Sequence, residues 1–109
     1  MNNVKELKLT FEAWGEENEV IVTRTKYPYN NNLAITAIMT TGEPFGTFTT
    51  NTDVVLPENL AAVDINNMPF IMKVLTENGL AEDTGMRIGS GFVEYPVMKF
   101  NLDKIPVMK

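Results

Sequence analysis

"TGMRIGSGFVEYP", residues 84–96, brings together three glycines, a serine, an arginine and a Tyr-Pro pair near the end of the chain. Three chemical readings compete for it, and each fails on spacing. A dinucleotide fingerprint needs G-x-G-x-x-G between a strand and a helix. Gly89 and Gly91 fill its first two positions, but Glu94 stands at the third and strand-like residues follow. A phosphate loop needs a lysine after its last glycine, and none is present. A nucleophile elbow needs glycines two residues either side of Ser90, where Ile88 and Phe92 stand. Backbone geometry remains. Gly85, Gly89 and Gly91 permit a bend or bulge at the end of a loop over 79–91, and Tyr95 and Pro96 lie in a last strand, "FVEYPVMKF". Arg87 in that loop is available either to a partner or to solvent.

Working towards the N-terminus, Phe70, Ile71, Val74 and Leu75 share one helical face. Asn66 or Asn67 suits a cap, Pro69 the first turn and Gly79 the residue past the end. "LAAVDI", 60–65, reads as a strand or a short helical turn. "LAITAIMT" and "FGTFTTNT" flank the turn "TGEP" as one hairpin. "LKLTFEAW", 7–14, and "EVIVTRTKY" flank "GEEN", 15–18, as another, ended by Pro28 and the asparagine loop "YNNN". Pro106 argues against further sheet in the tail, 102–109. The pattern predicts one α+β domain: an antiparallel sheet of five or six strands with one helix on a face.

Composition narrows the chemistry. The chain contains neither cysteine nor histidine, so disulfides, thiolate or imidazole zinc sites and every histidine triad are excluded. No apolar run approaches the ~20 residues of a membrane span, and the N-terminus lacks the apolar core of a secretion signal. A cytoplasmic location is the expectation. With 14 acids against 9 bases the net charge is −5, which disfavours direct nucleic-acid binding. The same sign suits solubility, or a protein that occupies another protein's nucleic-acid groove.

Other acidic motifs are weak. "ELK", 6–8, lacks the preceding acid of a metal-nuclease motif. "DINN", 64–67, starts like a calcium loop but continues into Met68 and Pro69, so an Asx turn fits better. Glu82 and Asp83 are adjacent acids in the expected loop. No cofactor or metal is implied. In the first hairpin, Glu12, Glu16, Glu17 and Glu19 surround Trp14, a candidate apolar anchor among carboxylates, or an aromatic that folds over the sheet edge. These five residues and Arg87 are the candidate partner-binding set.

Residues 29–101 also resemble a family of small uncharacterised bacterial proteins carried on conjugative and other mobile elements. The resemblance rests on Tyr29, Asn30, Asn31 and Leu33–Ile35, then Thr50 and Asn51, "LPEN" (56–59), Asp64, Asn66 and Asn67. "ENGL" (77–80) and Thr84, Gly85, Ser90–Phe92, Tyr95 and Pro96 complete it. Ile65 replaces a threonine of the pattern, and the valine between Thr50 and Asn51 is missing. Residues 1–28 lie outside it. The family carries no activity to transfer, so the resemblance implies context alone. The expected function is a non-catalytic, protein-binding inhibitor of a host-defence nuclease, of the anti-CRISPR kind, its partner a nucleic-acid-binding protein. Alternatives are an accessory or regulatory protein of conjugative DNA transfer, or a small metal-dependent carboxylate enzyme. Oligomeric state stays open.

The missing ligand types generate a direct test. Calorimetric titration with magnesium, manganese, calcium and zinc should be flat up to low-millimolar concentration. A saturable heat that disappears on replacing acids would bring the carboxylate-enzyme reading to the front.

Overall fold

The computed structural model describes residues 6–108. Strand β1 (Lys8–Ala13) alternates strictly, with Leu9, Phe11 and Ala13 buried and their neighbours exposed. It pairs with β2 (Glu16–Lys26) in a register that ends at Ala13↔Glu16, so only Trp14 and Gly15 form the turn. Both have positive φ, 54° and 77°, as a type I′ hairpin requires. The "GEEN" turn expected over 15–18 is therefore tighter and earlier, and Glu16 and Glu17 belong to β2. Asn18 turns inward, where its amide donates to the Glu16 carbonyl at 3.1 Å. Strands β3 (Leu33–Met39) and β4 (Pro44–Thr47) complete an antiparallel sheet in the order β1-β2-β3-β4.

The second sheet contains β5 (Thr49–Thr50), β6 (Leu60–Val63), β7 (Ala81–Ser90) and β8 (Val93–Phe100), ordered β5-β6-β8-β7. The α+β class stands, with eight strands in two four-stranded sheets in place of one sheet of five or six. The threonine-rich run read as a single hairpin strand is split at Phe48. The Phe48 N–H donates to Ile35 O of β3 at 2.8 Å, and its carbonyl accepts from Asp64 N, just after β6, at 2.9 Å. Its side chain is fully buried and meets Phe11 and Phe45 edge-on. One residue thus joins the ladders of both sheets, and the core on either side of it is continuous.

Two loops lock together beside this junction. Asn32, buried, accepts from Leu56 N at 2.9 Å and donates to Val54 O at 2.8 Å and Asn51 Oδ1 at 3.2 Å. Asn30 reaches Thr52 O at 2.9 Å, and Asn31 takes the left-handed backbone at φ 63°. Tyr27 bonds the Thr49 hydroxyl at 3.0 Å. Burial raises its phenol pKa above the ordinary value, opposed by the Thr49 bond and reinforced by Asp64.

Helix α1 (Ile71–Glu77) is shorter than its sequence signals suggest, and neither Asn66 nor Asn67 caps it. Asp64 explains this. Its carboxylate takes both the Asn67 backbone N–H and the Asn67 side-chain amide, closing an Asx turn, and Pro69 disfavours helical backbone at Met68. The other end follows expectation. Gly79 has φ 67°, its N–H donates to Thr76 O, and Leu80 N donates to Leu75 O, which is a Schellman motif. Leu75 and Leu80 are both buried, so the motif carries its hydrophobic contact. Ile71, Val74 and Leu75 face the core.

The tail also departs from expectation. After a 3₁₀ turn (Leu102–Lys104), Ile105 is buried and the chain runs parallel beside β2 where β1 has ended. Arg24 N donates to Pro106 O, Met108 N donates to Arg24 O, and the Arg24 guanidinium donates to Ile105 O at 2.7 Å. Pro106 is tolerated because only its carbonyl is used.

Replacing Phe48 by alanine should cost about 3–5 kcal/mol, because the ring is fully enclosed between the sheets. Urea melts of the wild type and Phe48→Ala check this. A loss below ~1 kcal/mol would mean that the junction closes without its side chain.

Candidate functional site

The pairing of β1 with β2 sorts the first hairpin's side chains onto two faces. Glu12 lies directly opposite Glu17, and Thr10 opposite Glu19, all on the exposed side. Further along that side Ile21 pairs with Ile38, which is exposed, and Thr23 bonds Thr36 hydroxyl to hydroxyl at 3.1 Å. The sheet therefore shows three carboxylates beside an apolar isoleucine pair. Among the described residues, none of these carboxylates has a cation within 4 Å; the two ion pairs are Lys8–Glu6 and Arg87–Asp83.

Trp14 is not on that face. Its place in the turn carries it towards the side occupied by Phe11, where the indole meets Phe70 edge-on at 5.1 Å and tilts over Phe45 at 5.8 Å. Phe11 touches the same two rings. Glu16, opposite buried Ala13, shares this side and is exposed at its rim. Trp14 folds over the end of the sheet and still leaves 65% of its surface open. The aromatic anchor expected amid four carboxylates is thus divided: Glu12, Glu17 and Glu19 lie on the outer face, where Lys8 stands opposite Ile21, and Glu16 alone accompanies Trp14.

The stretch read as a loop over 79–91 is mainly strand β7, and this is the largest departure from the sequence pattern. Between the pairs Asp83↔Met98 and Arg87↔Pro96, β7 advances four residues while β8 advances two. The excess forms a bulge. Gly85 occupies it at φ 85°, its N–H donating to Asp83 Oδ1 at 2.9 Å, and the Thr84 hydroxyl donates to Val97 O at 2.7 Å. Gly91 (φ 63°) and Phe92 then make a two-residue turn into β8. Gly89, with ordinary backbone, is needed for neither. Pro96 is accommodated because β6 reaches only Val97, so no strand on that side requires its N–H. Beyond β6 the ribbon projects as two strands, with Phe92 fully exposed at its tip.

Arg87 stands just past the bulge and clamps Asp83 with two bonds, 3.0 and 3.1 Å. Its first partner is thus intramolecular. An open groove of about 680 Å³ runs along the C-terminal end of α1, lined by Asn59, Thr76, Glu82, Lys99, Asn101 and Asp103 among others. Among the described residues, no three acidic side chains converge as a metal site. Among the described residues, no helix is long and apolar enough to cross a membrane.

The family model described as "Domain of unknown function (DUF4313)" matches residues 22–108. The chain belongs to this family. Among curated proteins and solved structures, none matches.

Within the matched segment, the motifs that carry the resemblance take structural positions. "YNNN" and "LPEN" supply the loop clasp around Asn32, "DINN" the Asx turn, "ENGL" the Schellman motif, and "TG" and "SGF" the bulge and ribbon tip. The matched segment starts at Val22, inside β2, so β1, the Trp14 turn and all four hairpin glutamates lie outside it. Sequence reasoning missed Ile21 and Ile38 as surface residues and Phe92 as a projecting one. Apolar side chains on the polar parity of a strand were the available signal for the first two. For Phe92 it was a bulky residue directly after a turn glycine.

The Asp83–Arg87 clasp makes a pH prediction. The guanidinium, and then the Gly85 N–H, hold the Asp83 carboxyl below the usual carboxylate range. A group with a lowered folded pKa adds stability above its unfolded pKa, and that stability is lost as pH falls through the lowered value. The Gly85 amide resonance should therefore titrate with a midpoint below ~3.9. In Asp83→Asn the transition should vanish. A wild-type midpoint at or above ~3.9 would show that the clasp does not form in solution.

Proposed function

We propose that this DUF4313 protein is a non-catalytic binding protein whose acidic hairpin face docks on the basic, nucleic-acid-binding surface of a protein partner. A host-defence nuclease is the partner class that this reading favours, given the likeness to proteins of mobile elements. One observation carries the reading. Glu12 and Glu17 are directly opposed across a ladder, with Glu19 on the same face and no cation within 4 Å among the described residues. Like charges opposite each other destabilise a sheet by up to about 1 kcal/mol. A basic surface would turn that repulsion into complementarity and would steer association. The Ile21–Ile38 pair supplies apolar contact beside the charge, the usual arrangement of an interface core and rim.

Charge reversal separates this from a role in solubility. Glu17→Lys places opposite charges on facing residues, so thermal stability should hold or rise by a few tenths of a kcal/mol. Combined with Glu19→Lys it should also remove nucleic-acid-binding proteins from those captured out of host lysate and identified by mass spectrometry. Elution of the wild-type complex should shift to lower salt as the acids are removed. Capture of the same proteins at the same salt by the reversed variant would end the proposal. Recovery of relaxase or coupling proteins instead would favour the accessory role in DNA transfer.

A further inference from the structure

Trp14 occupies a backbone conformation that does not suit it. A bulky residue at φ 54° is an outlier, and the first position of a type I′ turn is ordinarily held by asparagine, aspartate or glycine. Packing accounts for part of the indole only. It meets Phe70 edge-on and leans over Phe45, yet the residue remains 65% exposed. One carboxylate accompanies it: Glu16 follows the turn on the same side, while the Glu12–Glu17 pair, the next rung along the ladder, lies on the opposite face. Among the described residues none of these carboxylates is in an ion pair.

An aromatic face packed on two other rings, with the Glu16 carboxylate on its side and no cation paired to it among the described residues, suits a cationic side chain. A guanidinium fits best. It stacks flat on an indole, and its fork of N–H groups remains free to reach a neighbouring carboxylate. We propose that the Trp14 turn is a preorganised platform for an arginine of a basic segment in the partner protein. The Phe45 and Phe70 rings hold the indole, and Glu16 takes the guanidinium N–H groups. This rests on the reading of the hairpin as a binding face for a basic partner, and it moves the anchoring contact from the sheet face to the turn.

Trp14 is the only tryptophan, so its fluorescence reports on the platform alone. The probe is a nine-residue arginine peptide, with the same peptide in citrulline as a neutral isostere, both at physiological salt. The arginine peptide should change the emission saturably and the citrulline peptide should not. By calorimetry, Trp14→Asn should weaken arginine-peptide binding by about two- to thirty-fold, the range of a cation–π contact. Asparagine is at home in this turn, so the variant should stay folded, as its thermal midpoint will show. Should it fail to fold, Trp14→Phe keeps an aromatic ring at the position and should still bind more weakly than the wild type. Equal affinity in the wild type and the folded Trp14 variant would overturn the platform. If Glu17→Lys with Glu19→Lys then abolished binding, the acidic-face reading would survive without it. A loss with the Trp14 variant and none with that charge reversal would reject the acidic face and keep the platform. No saturable emission change and no heat of binding with the arginine peptide would overturn both.

Discussion

Phe48 gives its N–H to one sheet and its carbonyl to the other, and its ring fills the space between them. Backbone polar groups inside a core must be paired, so a chain crossing from sheet to sheet can do so only where both partners are within reach. That requirement positions much else. Ile35 must present its carbonyl to Phe48, and its own N–H is taken by the Thr49 hydroxyl. Asp64 must follow β6 directly, which starts the Asx turn and delays the helix. The edge-on rings of Phe11 and Phe45 then connect the junction to the first hairpin and, through Phe45, to Trp14.

From this junction the molecule divides into a part that holds itself together and a part that does not satisfy itself. The asparagine loops belong to the first: every polar atom of the Asn32 side chain is used, and it is buried. Breaking such a bond leaves an unpaired group in the interior, at a cost of about 1–3 kcal/mol. The first hairpin belongs to the second part. Its inward residues, Leu9, Phe11 and Ala13, complete the core, yet its outer surface opposes two carboxylates and its turn strains a tryptophan. Neither feature serves the fold. Both lie outside the residues that match the DUF4313 model.

Much of the local structure was legible in the sequence because it depends on neighbours along the chain. Alternation at Leu9, Phe11 and Ala13 determined a half-buried strand, and Ile71, Val74 and Leu75 a helix face, with Phe70 left just before the helix. Gly79 determined where that helix stops, since a left-handed residue ends it without help from elsewhere. The missing cysteine and histidine determined which chemistries are closed to the chain. Tertiary structure decided the remainder. Glycine and threonine read as a loop over 79–91, but pairing with β8 makes that stretch a strand, because the ladder and the Thr84 and Asp83 side chains satisfy its backbone. Pro106 read as an end, but a neighbour that needed only a carbonyl kept the tail in place. Which face Trp14 shares with the glutamates turned on a one-residue question, whether the hairpin turn begins at Trp14 or at Gly15. In a strand each step of register reverses the side on which a residue lies. That register was settled by Asn18 and Val20 facing inward, among residues brought together only by the closed core.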